Sequence, residues 1–180
     1  AELPEEGLLL PKKGLNEINK FLDIKGPVRV GIEHNHFVLK KEAETIIARL
    51  LEGDFPDYTE IIHREGGNII EIDKFQFFMM LKRMSILSSE DYKAAIFNFE
   101  KERILISASN PDLGESKEDM DITFEGDHLT IAFNPKYFMD AINIIESDTV
   151  LLYIADEERP CLLLDKQDDS FVSAIMPMRI

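Results

Sequence analysis

One order of elements occurs three times along these 180 residues, and it constrains the fold more than any single motif. Hydrophobic periodicity predicts strand, helix, strand, strand, strand in each copy, at a spacing of roughly 60 residues that marks a repeat architecture. The first copy opens with Leu8-Leu9-Leu10 and a helix from Pro11 to Leu22. Strand-like runs follow at Val28 to Glu33, His36 to Lys40 and Thr45 to Leu51. In the second copy Asn68 to Ile72 leads to Asp73, which caps a helix running to Leu87. Its strands are expected at Ala94 to Phe99, Arg103 to Ser109 and Met120 to Glu125. The third copy opens with His128 to Phe133; Asn134 and Pro135 then supply a cap and a first-turn proline for a helix to Ile145. Thr149 to Ala155, Cys161 to Asp165 and Phe171 to Met176 complete it.

A unit this small is marginal alone. Each copy is expected to hold one amphipathic helix and a sheet of its own, and two copies packed together give an α+β domain with the helices side by side. Copies two and three join through the short turn Glu125-Gly126-Asp127, so they form one domain. The first copy is then half of a second domain whose mate is absent. Gly53 to Gly67, with Pro56 and the paired Gly66-Gly67, reads as the connector. The chain opens on Ala1 rather than Met, which fits a native chain that began earlier.

The net charge of −15 excludes a protein that simply adheres to nucleic acid, since phosphate contacts come from Lys and Arg. The charge is unevenly placed, however. The three predicted helices carry Lys12, Lys13, Lys20, Lys74, Lys82, Arg83 and Lys136 against only Glu17 and Asp140. Basic helices in an otherwise acidic chain suit a surface that tolerates a polyanion while the rest repels it. None has the Arg, Asn and Gln pattern of a helix that reads base edges, so any DNA contact is to backbone. A single cysteine, Cys161, builds no disulfide framework and sits among leucines as a packed thiol. No apolar run approaches the roughly 20 residues that span a bilayer, and Ala1 to Glu6 has no secretory-signal pattern.

Catalytic constellations are poor. His34 and His36 would share one face of a strand and form the best metal candidate, beside the plainer reading of a turn between two strands. A metal-dependent hydrolase built on them is the rival reading, and a generic acidic interaction scaffold is a third. Glu115 to Asp121 lacks the glycine and terminal glutamate of a calcium loop and reads as a solvated loop. No phosphate-binding glycine loop, nucleophile elbow or zinc helix occurs. The residues call for no cofactor.

Leu50-Leu51-Glu52-Gly53-Asp54-Phe55-Pro56-Asp57-Tyr58 resembles a segment of the bacterial sliding clamp, the β subunit of DNA polymerase III. Pro11-Lys12-Lys13-Gly14-Leu15, Phe133-Asn134-Pro135-Lys136-Tyr137 and Met176-Pro177-Met178-Arg179 resemble three more, in the same order, and the similarity runs from Leu8 to Ile180. The resemblance implies a DNA-clamp fold of two repeat units per domain. Residues 1–58 would be the second half of the middle domain and 59–180 the C-terminal domain. It implies a non-catalytic, cytoplasmic processivity factor that forms a two-chain ring around duplex DNA and touches no membrane. Polymerase, clamp loader and repair proteins would dock through short motifs ending in Leu-Phe. Carried over residue by residue, the partner pocket comprises Pro56, Ile61, Pro160, Ala174, Met176, Pro177, Met178 and Arg179, and the ring contact falls on Ile86 and Leu87; the seven basic helix residues are expected from their charge to face DNA, Lys12, Lys13, Lys82 and Arg83 foremost. Glu60 departs from the family's basic residue and Ala174 from its valine. No Gly-His-Arg-Leu segment is present for the opposite pocket wall, which implies weaker peptide binding.

Overall fold

The structure, a computed structural model, describes residues 7–22, 26–87 and 94–179. The chain divides into two compact units, residues 1–57 and 58–180.

In the first unit, helix α1 (Lys12–Leu22) precedes an antiparallel meander of β1 (Arg29–Glu33), β2 (His36–Lys41) and β3 (Glu44–Arg49). The register sets Val30 against Leu39, Leu39 against Ile46 and Phe37 against Ala48, so these residues share one face of the sheet. Ile18 and Phe21 of α1 close on that face, and with Leu39 and Ala48 they are the buried core. The expected strand at Leu8 to Leu10 is not a strand. Leu10 packs on that core, and the Leu51 N–H, just past β3, donates to the Leu9 carbonyl at 2.8 Å.

The second unit runs β4 (Asn68–Asp73), α2 (Lys74–Ile86), β5 (Ala95–Phe99), β6 (Arg103–Asn110), β7 (Gly114–Asp121), β8 (Leu129–Phe133), α3 (Pro135–Ile142), β9 (Thr149–Ile154), β10 (Cys161–Asp165) and β11 (Val172–Ile175). The caps form as the sequence predicts: Asp73 accepts from the Gln76 N–H, and Asn134 accepts from the Lys136 N–H ahead of Pro135. The sheets differ from expectation. Strand order is β11-β10-β9-β4 in one and β7-β6-β5-β8 in the other, so each copy gives its opening strand to its sister's sheet. A strand edge bonds through backbone groups common to every residue, so the sequence pattern of β4 does not reveal which edge it joins.

This exchange makes one core rather than two. Ile70 and Ile72 of β4 stand opposite Leu152 and Val150 of β9, while Ile131 and Phe133 of β8 stand opposite Phe97 and Ala95 of β5. All of these are buried. Phe77 of α2 meets Phe138 of α3 edge-on at 5.9 Å, and Phe97 stacks on Phe138 at 5.3 Å.

A further correction concerns Glu115 to Asp121. These residues form β7, paired with β6 from Asn110↔Gly114 to Arg103↔Asp121, and the expected strand at Met120 to Glu125 lies earlier in the chain. Ser116, Glu118 and Met120 are half-buried and alternate with exposed Glu115, Lys117, Asp119 and Asp121. Acidic composition hid an edge strand whose outward side is solvated and whose inward side is held by pairing.

Candidate partner pocket and basic helix faces

The C-terminal segment joins the two sheets of the second unit. In β11 the side chain of Ile175 turns into the core and Ala174 turns out. Pro177 has no N–H to continue a ladder, so the strand stops before it. The Met178 N–H then donates to the Ala132 carbonyl at 2.8 Å, on edge strand β8 of the other sheet. Met176 to Arg179 thus cross from one sheet edge to the other. They border a depression of about 590 Å³ whose other walls are Thr130 to Ala132 and the carboxylates of Glu157 and Glu158. Met176 is 58% exposed there, a flexible thioether at the mouth of a groove that proline keeps open.

Of the pocket residues expected from sequence, Met176, Pro177, Met178 and Arg179 come together in this way. Pro160 and Ala174 do not line the depression. Ala174 pairs with Leu162, Leu162 with Tyr153 and Tyr153 with Ile69, which puts these four on the outward face of the sheet. Ile61, 46% exposed, sits in a turn closed by its N–H to the Tyr58 carbonyl at 3.0 Å. Pro56 belongs to the first unit and is exposed.

Sequence reasoning missed the β8 edge and Tyr153. The Tyr153 hydroxyl is buried without a hydrogen-bond partner among the described residues. Gly67 presses on it: a Cβ there would lie 2.5 Å from the ring Cζ and 2.7 Å from the hydroxyl oxygen. Arg159 holds the neighbouring chain down through Nη1 to the Glu65 carbonyl at 2.9 Å, with its Nε on Asp156 at 2.6 Å. The Arg159 backbone N–H, followed by its side chain, keeps the Asp156 carboxyl below the usual carboxylate range.

The first unit repeats the tail contact. Its Leu51–Leu9 bond has the same length, 2.8 Å, as the Met178–Ala132 bond. Leu8, Leu9, Leu50, Leu51 and Phe55 border a depression of about 760 Å³.

The basic residues divide into free and engaged groups. Lys12, Lys13 and Lys20 lie on α1 away from Ile18 and Phe21, all exposed, with Lys20 paired to Glu17 at 2.9 Å. Lys82 and Lys136 are exposed and have no recorded ion pair among the described residues. Arg83 is forked onto Glu118 of β7 through Nε at 2.6 Å and Nη2 at 2.5 Å, and that hydrogen bonding raises the guanidinium pKa further. Lys74 turns its ammonium to the Ile145 carbonyl at 2.6 Å. Lys13 and Lys136 are each the second residue of their helix, and Lys20 and Lys82 each the ninth, so the basic positions follow the repeat. At the end of α2, Ile86 is 69% exposed, whereas half-buried Leu87 packs on the core.

His34 and His36 fit the plainer reading, a turn between two strands, rather than the rival metal pair. His34 has φ 56° in the turn and His36 begins β2, so strand alternation does not relate them. Among the described residues no group of three or more His, Cys, Asp or Glu could hold a metal ion. Buried Cys161 has its thiol pushed up to about 12 by desolvation, which leaves it unreactive.

Two exchanged repeats with paired helices and edge-bridging tails define the clamp class of α+β folds. The family DNA polymerase III beta subunit, C-terminal domain, matches residues 59–179, and the central domain of the same subunit matches residues 1–57. A beta sliding clamp of Vibrio cholerae is 28% identical over 181 residues, covering 100% of this chain and 50% of that protein. One of Haemophilus influenzae is 29% identical, covering 99% and 49%. A sliding clamp of Pseudomonas aeruginosa solved with griselimycin bound superposes with a TM-score of 0.84 at 26% identity, over 100% of this chain and 50% of that one. The chain belongs to the DNA polymerase III beta subunit family. It spans about half the length of the curated relatives it matches.

Proposed function

We propose that this chain works as part of a DNA sliding clamp, a non-catalytic cytoplasmic factor that keeps a polymerase on duplex DNA by enclosing it. Residues 1–58 are read as the second half of the middle domain and 59–180 as the C-terminal domain. The match of both family models, in order and over nearly the whole chain, carries the reading. Enclosure needs only weak, sliding contact, which suits lysines recurring at fixed helix positions within a chain of net charge −15. Lys12, Lys13, Lys20, Lys82 and Lys136 are the residues proposed to face DNA. Arg83 and Lys74 are engaged within the protein and contribute less. In the whole clamp Ile86 is proposed as the exposed ring contact, with Leu87 supporting it from below.

Partners are proposed to dock in the groove formed by Met176 to Arg179, with Ile61, Pro160 and Ala174 of the same unit extending it. A short peptide ending in Leu-Phe suits this surface because methionines adapt to an apolar anchor. Fluorescence anisotropy with such a labelled peptide tests the reading. Saturable binding that Met178→Ala weakens and griselimycin displaces is expected; a peptide that binds wild type and Met178→Ala alike excludes this groove.

A further inference from the structure

The groove at the C-terminal segment carries charge as well as thioethers, and that charge comes from one loop. Between β9 and β10 the chain reads Asp156-Glu157-Glu158-Arg159-Pro160. Asp156 closes the loop on itself: its Oδ1 accepts the Glu158 N–H at 3.0 Å and the Arg159 N–H at 2.8 Å. Such an Asx turn fixes the backbone without using the side chains that follow it. Glu157 and Glu158 are both exposed, and both border the depression beside Met176 and Met178.

The loop's own cation does not neutralise them. Arg159 is spent on Asp156 through Nε at 2.6 Å and on the Glu65 carbonyl through Nη1 at 2.9 Å. Arg179 borders the depression, yet no ion pair of Glu157, Glu158 or Arg179 is recorded among the described residues. Two carboxylates thus stand against one guanidinium around an apolar groove. Every bordering residue lies between 130 and 179, inside the second unit, so the first unit and anything before it supply none of this charge.

We propose that this groove selects partner peptides carrying a lysine or arginine beside the apolar anchor, with Glu157 and Glu158 as the residues that read the cation. The inference rests on the docking reading above and adds a charge specificity to it. Methionine adapts to apolar side chains of several shapes, so Met176 and Met178 supply affinity with little discrimination. Carboxylates at the rim discriminate instead, because a cationic flank is attracted while an acidic flank meets like charge. Their exposure keeps the gain modest, since surface pairs are weak and screened by salt. The net charge of −15 draws cations too, but it acts on a basic peptide at any face. Loss of the preference on neutralising these two residues is what assigns it to the groove.

Fluorescence anisotropy tests this with two labelled peptides that share a Leu-Phe end and differ only in the two residues before it, Lys-Lys or Glu-Glu. The Lys-Lys peptide is expected to bind wild type about three- to tenfold more tightly at low salt, with the ratio narrowing as salt is raised. Glu157→Gln/Glu158→Gln should remove most of that preference. Its folding is preserved, because Asp156 holds the loop through backbone N–H groups, and an unchanged thermal melt checks this. Glu42→Gln/Glu44→Gln, the same charge change on exposed residues of the first unit, keeps the preference. Equal binding of the two peptides overturns the proposal while leaving docking intact, as does a preference that Glu157→Gln/Glu158→Gln retains. Absence of saturable binding by either peptide overturns the docking reading itself, and this proposal with it.

Discussion

The two units pack the same repeat under different conditions. In the second, β5 buries Ala95, Phe97 and Phe99, and β9 buries Val150, Leu152, Tyr153 and Ile154. In the first, β1 buries nothing, and the core reduces to Ile18, Phe21, Leu39 and Ala48. The helix of a copy therefore covers only part of its own sheet, and the rest of the cover comes from the sister's strand and helix. Stability follows the shared core rather than secondary structure, because both units contain well-formed elements and only one adds a sister strand to each sheet.

The largest expected effect tests that asymmetry. Phe138→Ala removes a ring that touches Phe77, Phe97 and Phe133, and it should cost the second unit about 3–5 kcal/mol while leaving the first unchanged. Denaturation followed by amide exchange should show the first unit opening well before the second. A single transition shared by both would break the comparison.

Asp165 offers a sharper probe of the second unit. Its carboxyl is held below the usual range, first by the Gln167 N–H and then by the Ser147 side chain. The folded pKa lies below the unfolded value of about 3.9, so this stabilisation is present above that pH and is lost as pH falls through the folded value. Asp165→Ala should cost roughly 1–3 kcal/mol near neutral pH. The gap from wild type should narrow in acid; a gap independent of pH would rule the carboxylate out.

Smaller and opposite in sign, Tyr153→Phe removes a buried hydroxyl that has no partner among the described residues and should raise stability by about 1 kcal/mol. A loss on calorimetry would mean that the hydroxyl is satisfied. The smallest effect is a rate. Cys161, fully buried, should resist thiol reagents in the folded protein and react only when the second unit opens. Labelling at the opening rate of the first unit would contradict the division.

Much of this was legible in the sequence. Asp73 and Asn134-Pro135 marked helix starts, and the pattern Ile70, Ile72, Phe97, Phe99, Val150 and Leu152 marked core strands, because capping and periodicity are local properties. The terminal Met-Pro-Met stood out for the same reason. β7 was hidden because its acidic residues are tolerated by a solvated edge, and the Arg83–Glu118 fork was hidden because its partners lie far apart in sequence.

The sequence by itself determined the repeat, its helix caps, the buried thiol and the family. Only the tertiary structure decided that sister copies exchange their opening strands, that Met178 bridges to Ala132, and that Arg83 is engaged by Glu118. The physical reason is the same in each case. Side-chain pattern specifies which face of an element is buried, but backbone groups are alike at every residue, so which edge each strand joins is settled only when the copies pack.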